Sequence, residues 1–210
     1  MEQDTLEKQW LGLALTYADI PAVAMEILNE LFAFYNSEGR YYHNLGHIAQ
    51  LIKNAEVFKD SLNDYNSVRF AIWFHDSVYS PMGSNNEELS ADFAQKHLSR
   101  LLVPEEIIQR VVYLIKATSN HMDQQNSDQD TAYFLDFDLA TLGGTNESYQ
   151  EYRNQIRKEY QMIPDIIYKP GRKKILQRFL DSDRIYQTTE FFALYEKQAR
   201  LNIAFELQTL

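Results

Sequence analysis

The chain has 210 residues, with 20 Lys and Arg against 30 Asp and Glu, and a net charge of −10. So acidic a surface excludes a broad nucleic-acid or anionic-membrane face, since both need basic charge, but leaves room for a small phosphorylated substrate in a local basic pocket. There is no cysteine, which excludes disulfides and thiolate chemistry, and the few glycines and prolines favour long helices over a turn-rich β architecture. One domain spanning 1–210 is the expectation at this length. Its core would run from about 40 to 160, with flanking helices over 5–35 and 164–207. No apolar run approaches a membrane span, and the acidic start Met1-Glu2-Gln3-Asp4 does not read as a signal sequence. A cytoplasmic protein is expected.

In chain order, Leu6, Trp10, Leu13 and Leu15 predict a helix over Thr5–Tyr17, and Pro21 opens a second one through Tyr35. A loop, Asn36-Ser37-Glu38-Gly39, leads to Arg40. Asn44 then reads as the cap of a helix carrying Leu45, Ile48, Leu51, Ile52, Ala55 and Phe58, with His43 at its entrance and His47 in its first turn. A helix over Asp64–His75 ends in the apolar Ala71-Ile72-Trp73-Phe74. The loop Ser77–Asn86 follows, then helices from Asn86 to about Leu102 and from Pro104 to Ala117. The most polar segment, Asp123 to Gln129, is expected to be exposed. Phe134 to Leu139 sets Asp136 and Asp138 in an aromatic and aliphatic run closed by Gly143-Gly144. Helices over Glu147–Met162, Pro164–Leu180 and Thr188–Leu207 complete an all-α reading with no strand and no repeat. The aromatic last helix can pack within the domain or across a homodimer.

Three of the five histidines fall between Arg40 and Asp76. His43 and His47 are four apart, the spacing of one helix face, and His75 adjoins Asp76. A carboxylate beside so apolar a run needs a partner if buried, and a divalent ion supplies one. With Asp136 or Asp138, these groups offer imidazole and carboxylate ligands from three helices, enough for a metal shell. The structural alternatives are core or surface histidines and a capping Asp. His121 reads either as a helix C-terminal histidine or as a further ligand or phosphate contact. His97 reads as a surface or boundary residue. Glu87 and Glu88 occupy a first helical turn, favoured there by the dipole, and Glu88 is also placed to orient a water. Arg157 and Arg172 are the choices for phosphate contacts among late basic residues that otherwise form solvated faces.

The order His47, then His75-Asp76, then Asp138 resembles the HD-domain metal-dependent phosphohydrolase superfamily. The resemblance implies an all-helical fold and a metal-binding hydrolase whose divalent ion sits on those four residues. Asp138, in Asp136-Phe137-Asp138-Leu139, is the better match for the last ligand and Asp136 the reserve. Tyr42-His43-Asn44-x-x-His47 is also similar to a motif of class I cyclic nucleotide phosphodiesterases, which makes His43 the general acid. The broader likeness, from Arg40 to Arg157, is to small bacterial predicted HD phosphohydrolases, through Phe74-His75-Asp76-x-x-Tyr79, Asn86-Glu87-Glu88-x-Ser90-Ala91 and Leu135-Asp136-x-Asp138-Leu139. It implies one or two ions (Mn, Fe, Ni, Zn, Co or Mg) and a phosphomonoester or phosphodiester substrate, a nucleotide among them, with His121 and Glu88 assisting. The alternative is a non-hydrolytic metal- or nucleotide-binding sensor or interaction protein on the same scaffold.

Overall fold

A computed structural model describes residues 2–17, 19–121 and 127–210. The polar stretch Asp123–Asn126, expected to be exposed, lies outside the described residues, as does Met1. Among the described residues there are ten α-helices and no strand, so the all-α class holds. The helices are α1 (Glu2–Ala14), α2 (Pro21–Tyr35), α3 (Leu45–Val57), α4 (Tyr65–Phe74), α5 (Asn86–Arg100), α6 (Glu105–Ala117), α7 (Gln129–Leu139), α8 (Asn146–Glu159), α9 (Asp165–Asp181) and α10 (Thr189–Thr209). They form two compact units, Met1–Ser119 and Asn120–Leu210, where the sequence suggests a single domain; each unit builds its own buried core.

The first unit is built around α4. Asp64 caps it by accepting the Ser67 N–H, and every residue from Phe70 to Phe74 is fully buried. Helix α4 packs against α1, α3, α5 and α6. Trp10 of α1 meets Phe70, Trp73 and Phe74 edge-on at 5.5–6.1 Å, and its indole N–H donates to the Ala24 carbonyl of α2 at 2.8 Å. Burying each of these large rings contributes on the order of 2–3 kcal/mol. The Tyr35 hydroxyl donates to the Trp73 carbonyl at 3.0 Å, fixing α2 to the last turn of α4. His97 is a correction to the surface reading: it is fully buried on α5, stacked on Phe93 with centroids 4.1 Å apart.

The second unit contains a helix that the pattern leaves unassigned. Asp128 caps α7 by accepting the Thr131 N–H, and Tyr133, Phe134, Leu135 and Phe137 are buried. A 3-10 turn, Ala140–Gly143, follows and packs against α10. A Cβ on Gly143 would stand 2.5 Å from the Tyr195 Cβ, so only glycine allows that approach. Asn202 of α10 donates to the Leu142 and Gly144 carbonyls, both at 2.9 Å. Helix α8 stops at Glu159, short of the expected Met162, because Pro164 disfavours helical backbone before it and Arg157 takes the Tyr160 and Ile163 carbonyls.

Candidate metal centre

Two segments of the first unit meet at the end of α4. The first is the bend before α3, where Asn44 caps the helix by accepting from Gly46 and His47 backbone N–H groups at 2.8 and 3.4 Å. This cap leaves His43 outside the helix and His47 in its first turn, as the sequence predicts. His43 and His47 therefore do not share a helix face, yet their rings lie 6.0 Å apart. The second segment is the close of α4. His75 is the C-cap residue, in αR conformation, and Asp76 follows in the turn.

His47, His75 and Asp76 bring their ligand atoms together. The two Nε2 atoms are 3.3 Å apart, and Asp76 Oδ2 lies 3.1 Å from His75 Nε2 and 3.7 Å from His47 Nε2. A point about 2.0 Å from all three atoms follows from this triangle, which is the Zn–N and Zn–O bond length. His75 Nδ1 stands 3.0 Å from the Ile72 carbonyl, which can only accept, so Nδ1 carries a proton and, in the neutral ring, Nε2 presents its lone pair. A backbone carbonyl orienting the remote ring nitrogen is the usual support of a metal-binding histidine. Facing that lone pair are a carboxylate and a second imidazole. Such a group is satisfied by a cation at its centre or by a proton on either Nε2. Both rings are buried, whereas the Asp76 side chain is 18% exposed, so the group opens towards solvent on the carboxylate side.

The remaining candidates are placed differently. His43 is half-buried and lies against Tyr79, with centroids 4.2 Å apart and planes tilted by 31°. Glu88 is exposed in the first turn of α5, and the histidine–aspartate group does not include it. Its neighbours in the sequence motif have a structural task. Asn86 accepts from the Ser80 N–H and donates to the Ser80 carbonyl, while the Ser90 hydroxyl accepts from the Val78 N–H at 3.1 Å. These bonds pin the loop that follows Asp76.

Asp136 and Asp138 belong to the second unit, two residues apart on α7 and hence on different faces. Asp136 is fully buried. It accepts the Gln187 and Thr188 N–H groups at 2.8 Å each and the Thr188 hydroxyl at 2.6 Å, holding the start of α10. Burial pushes its carboxyl up to about 6 despite those bonds. Its oxygens are committed, so the reserve ligand is a structural residue. Asp138 instead meets His121, Nε2 to Oδ2, at 2.7 Å. Both are part-exposed, and His121 lies just beyond a 3-10 turn at Thr118–Asn120.

The two arginines chosen for phosphate both meet carboxylates of the second unit. Arg157 forks onto Asp165 at 2.7 and 3.1 Å, takes two carbonyls and lies over Tyr168. Arg172 is nearly buried and binds Glu206 through Nε at 2.9 Å and an η nitrogen at 3.2 Å. Both guanidinium groups thus have partners within the second unit. Sequence reading also missed Arg40, whose guanidinium binds three backbone carbonyls around the centre; a basic residue before a Tyr-Tyr-His bend carries no pattern of its own. Searches against protein-family models, curated proteins and solved structures found no match for this chain.

Proposed function

We propose that the chain is a metal-dependent phosphohydrolase of the HD-domain kind, with a divalent ion held by His47, His75 and Asp76. The observation that carries the reading is the convergence of two imidazole nitrogens and a carboxylate oxygen at 3.1–3.7 Å, with one ring oriented by the Ile72 carbonyl. Three protein ligands leave positions open, the mark of a catalytic rather than a purely structural site. When bound, such an ion supplies an acidified water and offsets the charge of a phosphoryl oxygen. His43 is the proton donor to the departing oxygen, a task suited to an imidazole. The substrate class is a small phosphomonoester or phosphodiester, and the acidic chain disfavours a polyanion such as nucleic acid.

The test is elemental mass spectrometry of protein purified without a histidine tag or chelator. One or two equivalents of Mn, Fe, Ni, Zn, Co or Mg, lost in Asp76→Ala, supports the reading; absence of metal after incubation with Mn²⁺ refutes it. His43→Ala should keep the metal and lose turnover of p-nitrophenyl phosphate or its diester. Asp138→Ala tests the fourth ligand implied by the resemblance: retained metal means that His47, His75 and Asp76 suffice. Metal and saturable nucleotide binding without turnover would instead favour the sensor reading.

A further inference from the structure

Arg40 ties the backbones of the two segments of the metal centre together. One η nitrogen donates to the His43 carbonyl at 3.1 Å and to the Asp76 carbonyl at 2.6 Å, and the other donates to the Ser77 carbonyl at 2.9 Å. The guanidinium also lies 5.2 Å from the Tyr35 ring centroid and 5.4 Å from that of Tyr79. Tyr79 is the ring against which His43 lies. One planar group thus touches the backbone of the proposed acid, the backbone of a proposed ligand, and the aromatic support of the acid.

We propose that Arg40 is a positioning residue: its fork fixes the bend carrying His43 against the turn carrying His75 and Asp76, and thereby sets the affinity of the centre for its ion. The inference rests on the metal reading above and deepens it. The bend and the turn are 36 residues apart in sequence, counted from the Arg40 bond to Asp76. Each is irregular backbone whose carbonyls no helix satisfies. A buried carbonyl needs a donor, and three carbonyls on two segments need donors in a fixed plane. Lysine keeps the charge at that place but offers its donors from one point, so it cannot hold both segments in register. The effect on the ion comes through Asp76: a ligand whose own carbonyl is released can turn its carboxylate away from the two imidazoles. Loss of outer partners of this kind lowers metal affinity by about 10–100-fold.

The test is a titration of metal-free protein with Mn²⁺, with free ion read by electron paramagnetic resonance, on wild type, Arg40→Lys and Arg69→Lys. Arg69 is the control. It is an arginine of the same unit, bound to the Gln9 carbonyl and side chain at 2.9 and 3.0 Å, and it joins α4 to α1. The expected result is a dissociation constant for Mn²⁺ raised at least tenfold in Arg40→Lys and unchanged in Arg69→Lys, although both lose stability. In Arg40→Ala, methylguanidinium should restore affinity where methylammonium does not. Wild-type affinity in Arg40→Lys, or equal weakening in the control, overturns the inference while the metal reading stands. A wild-type protein that binds no Mn²⁺ removes both.

Discussion

Replacing Arg172 by Leu separates a fold-holding arginine from a substrate-binding one. Arg172 and Glu206 are buried together, with side chains 9% and 2% exposed, and they share two nitrogen–oxygen contacts. Glu206 also accepts the Tyr149 hydroxyl at 2.7 Å, and burial together with that carboxylate pushes the Tyr149 phenol up. Removing one member of a buried pair strands the other charge and typically destabilises by about 3–5 kcal/mol. Here the tyrosine bond survives and Arg153 stands 3.5 Å from the same carboxylate, so the lower end, about 3 kcal/mol, is expected. With a urea slope of about 2–3 kcal/mol per molar, the unfolding midpoint should fall by about 1 M or slightly more. Adding Glu206→Leu should recover part of that loss, and the double-mutant cycle should give a coupling above about 2 kcal/mol. The assay is urea denaturation followed by circular dichroism, with KM for p-nitrophenyl phosphate measured in parallel. A loss below about 1 kcal/mol with a raised KM would refute the structural assignment and return Arg172 to the substrate.

Asp136→Ala leaves the Gln187 and Thr188 N–H groups without their acceptor, at about 1–3 kcal/mol each, offset by relief of a poorly solvated carboxylate. The net expectation is a loss of about 2 kcal/mol with metal content unchanged; loss of metal at wild-type stability would make Asp136 the ligand. Gly143→Ala drives a Cβ to within 2.5 Å of Tyr195 Cβ and 2.8 Å of its carbonyl oxygen, and should cost about 1–3 kcal/mol as overpacking. An unchanged thermal midpoint would refute that close approach. The pH dependence turns on His97, whose pKa burial lowers from 6.5 although Glu30 lies 3.5 Å away. A histidine depressed in the folded state takes up its proton more readily when unfolded, so stability falls as pH drops below about 6.5. His97→Gln should flatten that limb of the stability curve, and an unaltered slope between pH 7 and 5.5 would count against it.

How much of this was legible in the sequence depended on the kind of signal. The α3 cap was, because Asn44 before an apolar 3.6-residue pattern has a local cause, a side chain accepting from the next turn. The end of α4 was legible to within a residue, because the apolar run Ala71-Ile72-Trp73-Phe74 stops at His75. Helix α7 was not, since its hydrophobic residues crowd both faces and blur the period, and its cap, Asp128, sits in a polar stretch that reads as loop. The roles of Arg157 and Arg172 were hidden because their partners are long-range or lie past a helix end. A basic residue in an acidic chain looks like a phosphate site until its carboxylate is found. His97 was hidden similarly, since the sequence cannot show that α5 turns that face inward onto Phe93 and Glu30.

The carboxylates make the same point in a form that bears on function. Asp136 faces two N–H groups and a hydroxyl; Glu196 faces the Ile185 and Tyr186 N–H groups and Arg200; Glu206 faces Arg172 and Tyr149. In each case donors converge on the oxygens, and the fold itself satisfies the charge. Asp76 differs. One of its oxygens faces two imidazole nitrogens, and the neutral His75 ring, whose Nδ1 donates to the Ile72 carbonyl, presents a lone pair there. Donors around a buried carboxylate mark a residue that serves the fold, whereas acceptors around it mark a place that serves a cation. By that criterion the group in the first unit is the one that could hold a cation, and His-Asp adjacency at a helix end is a local pattern that the sequence already displays.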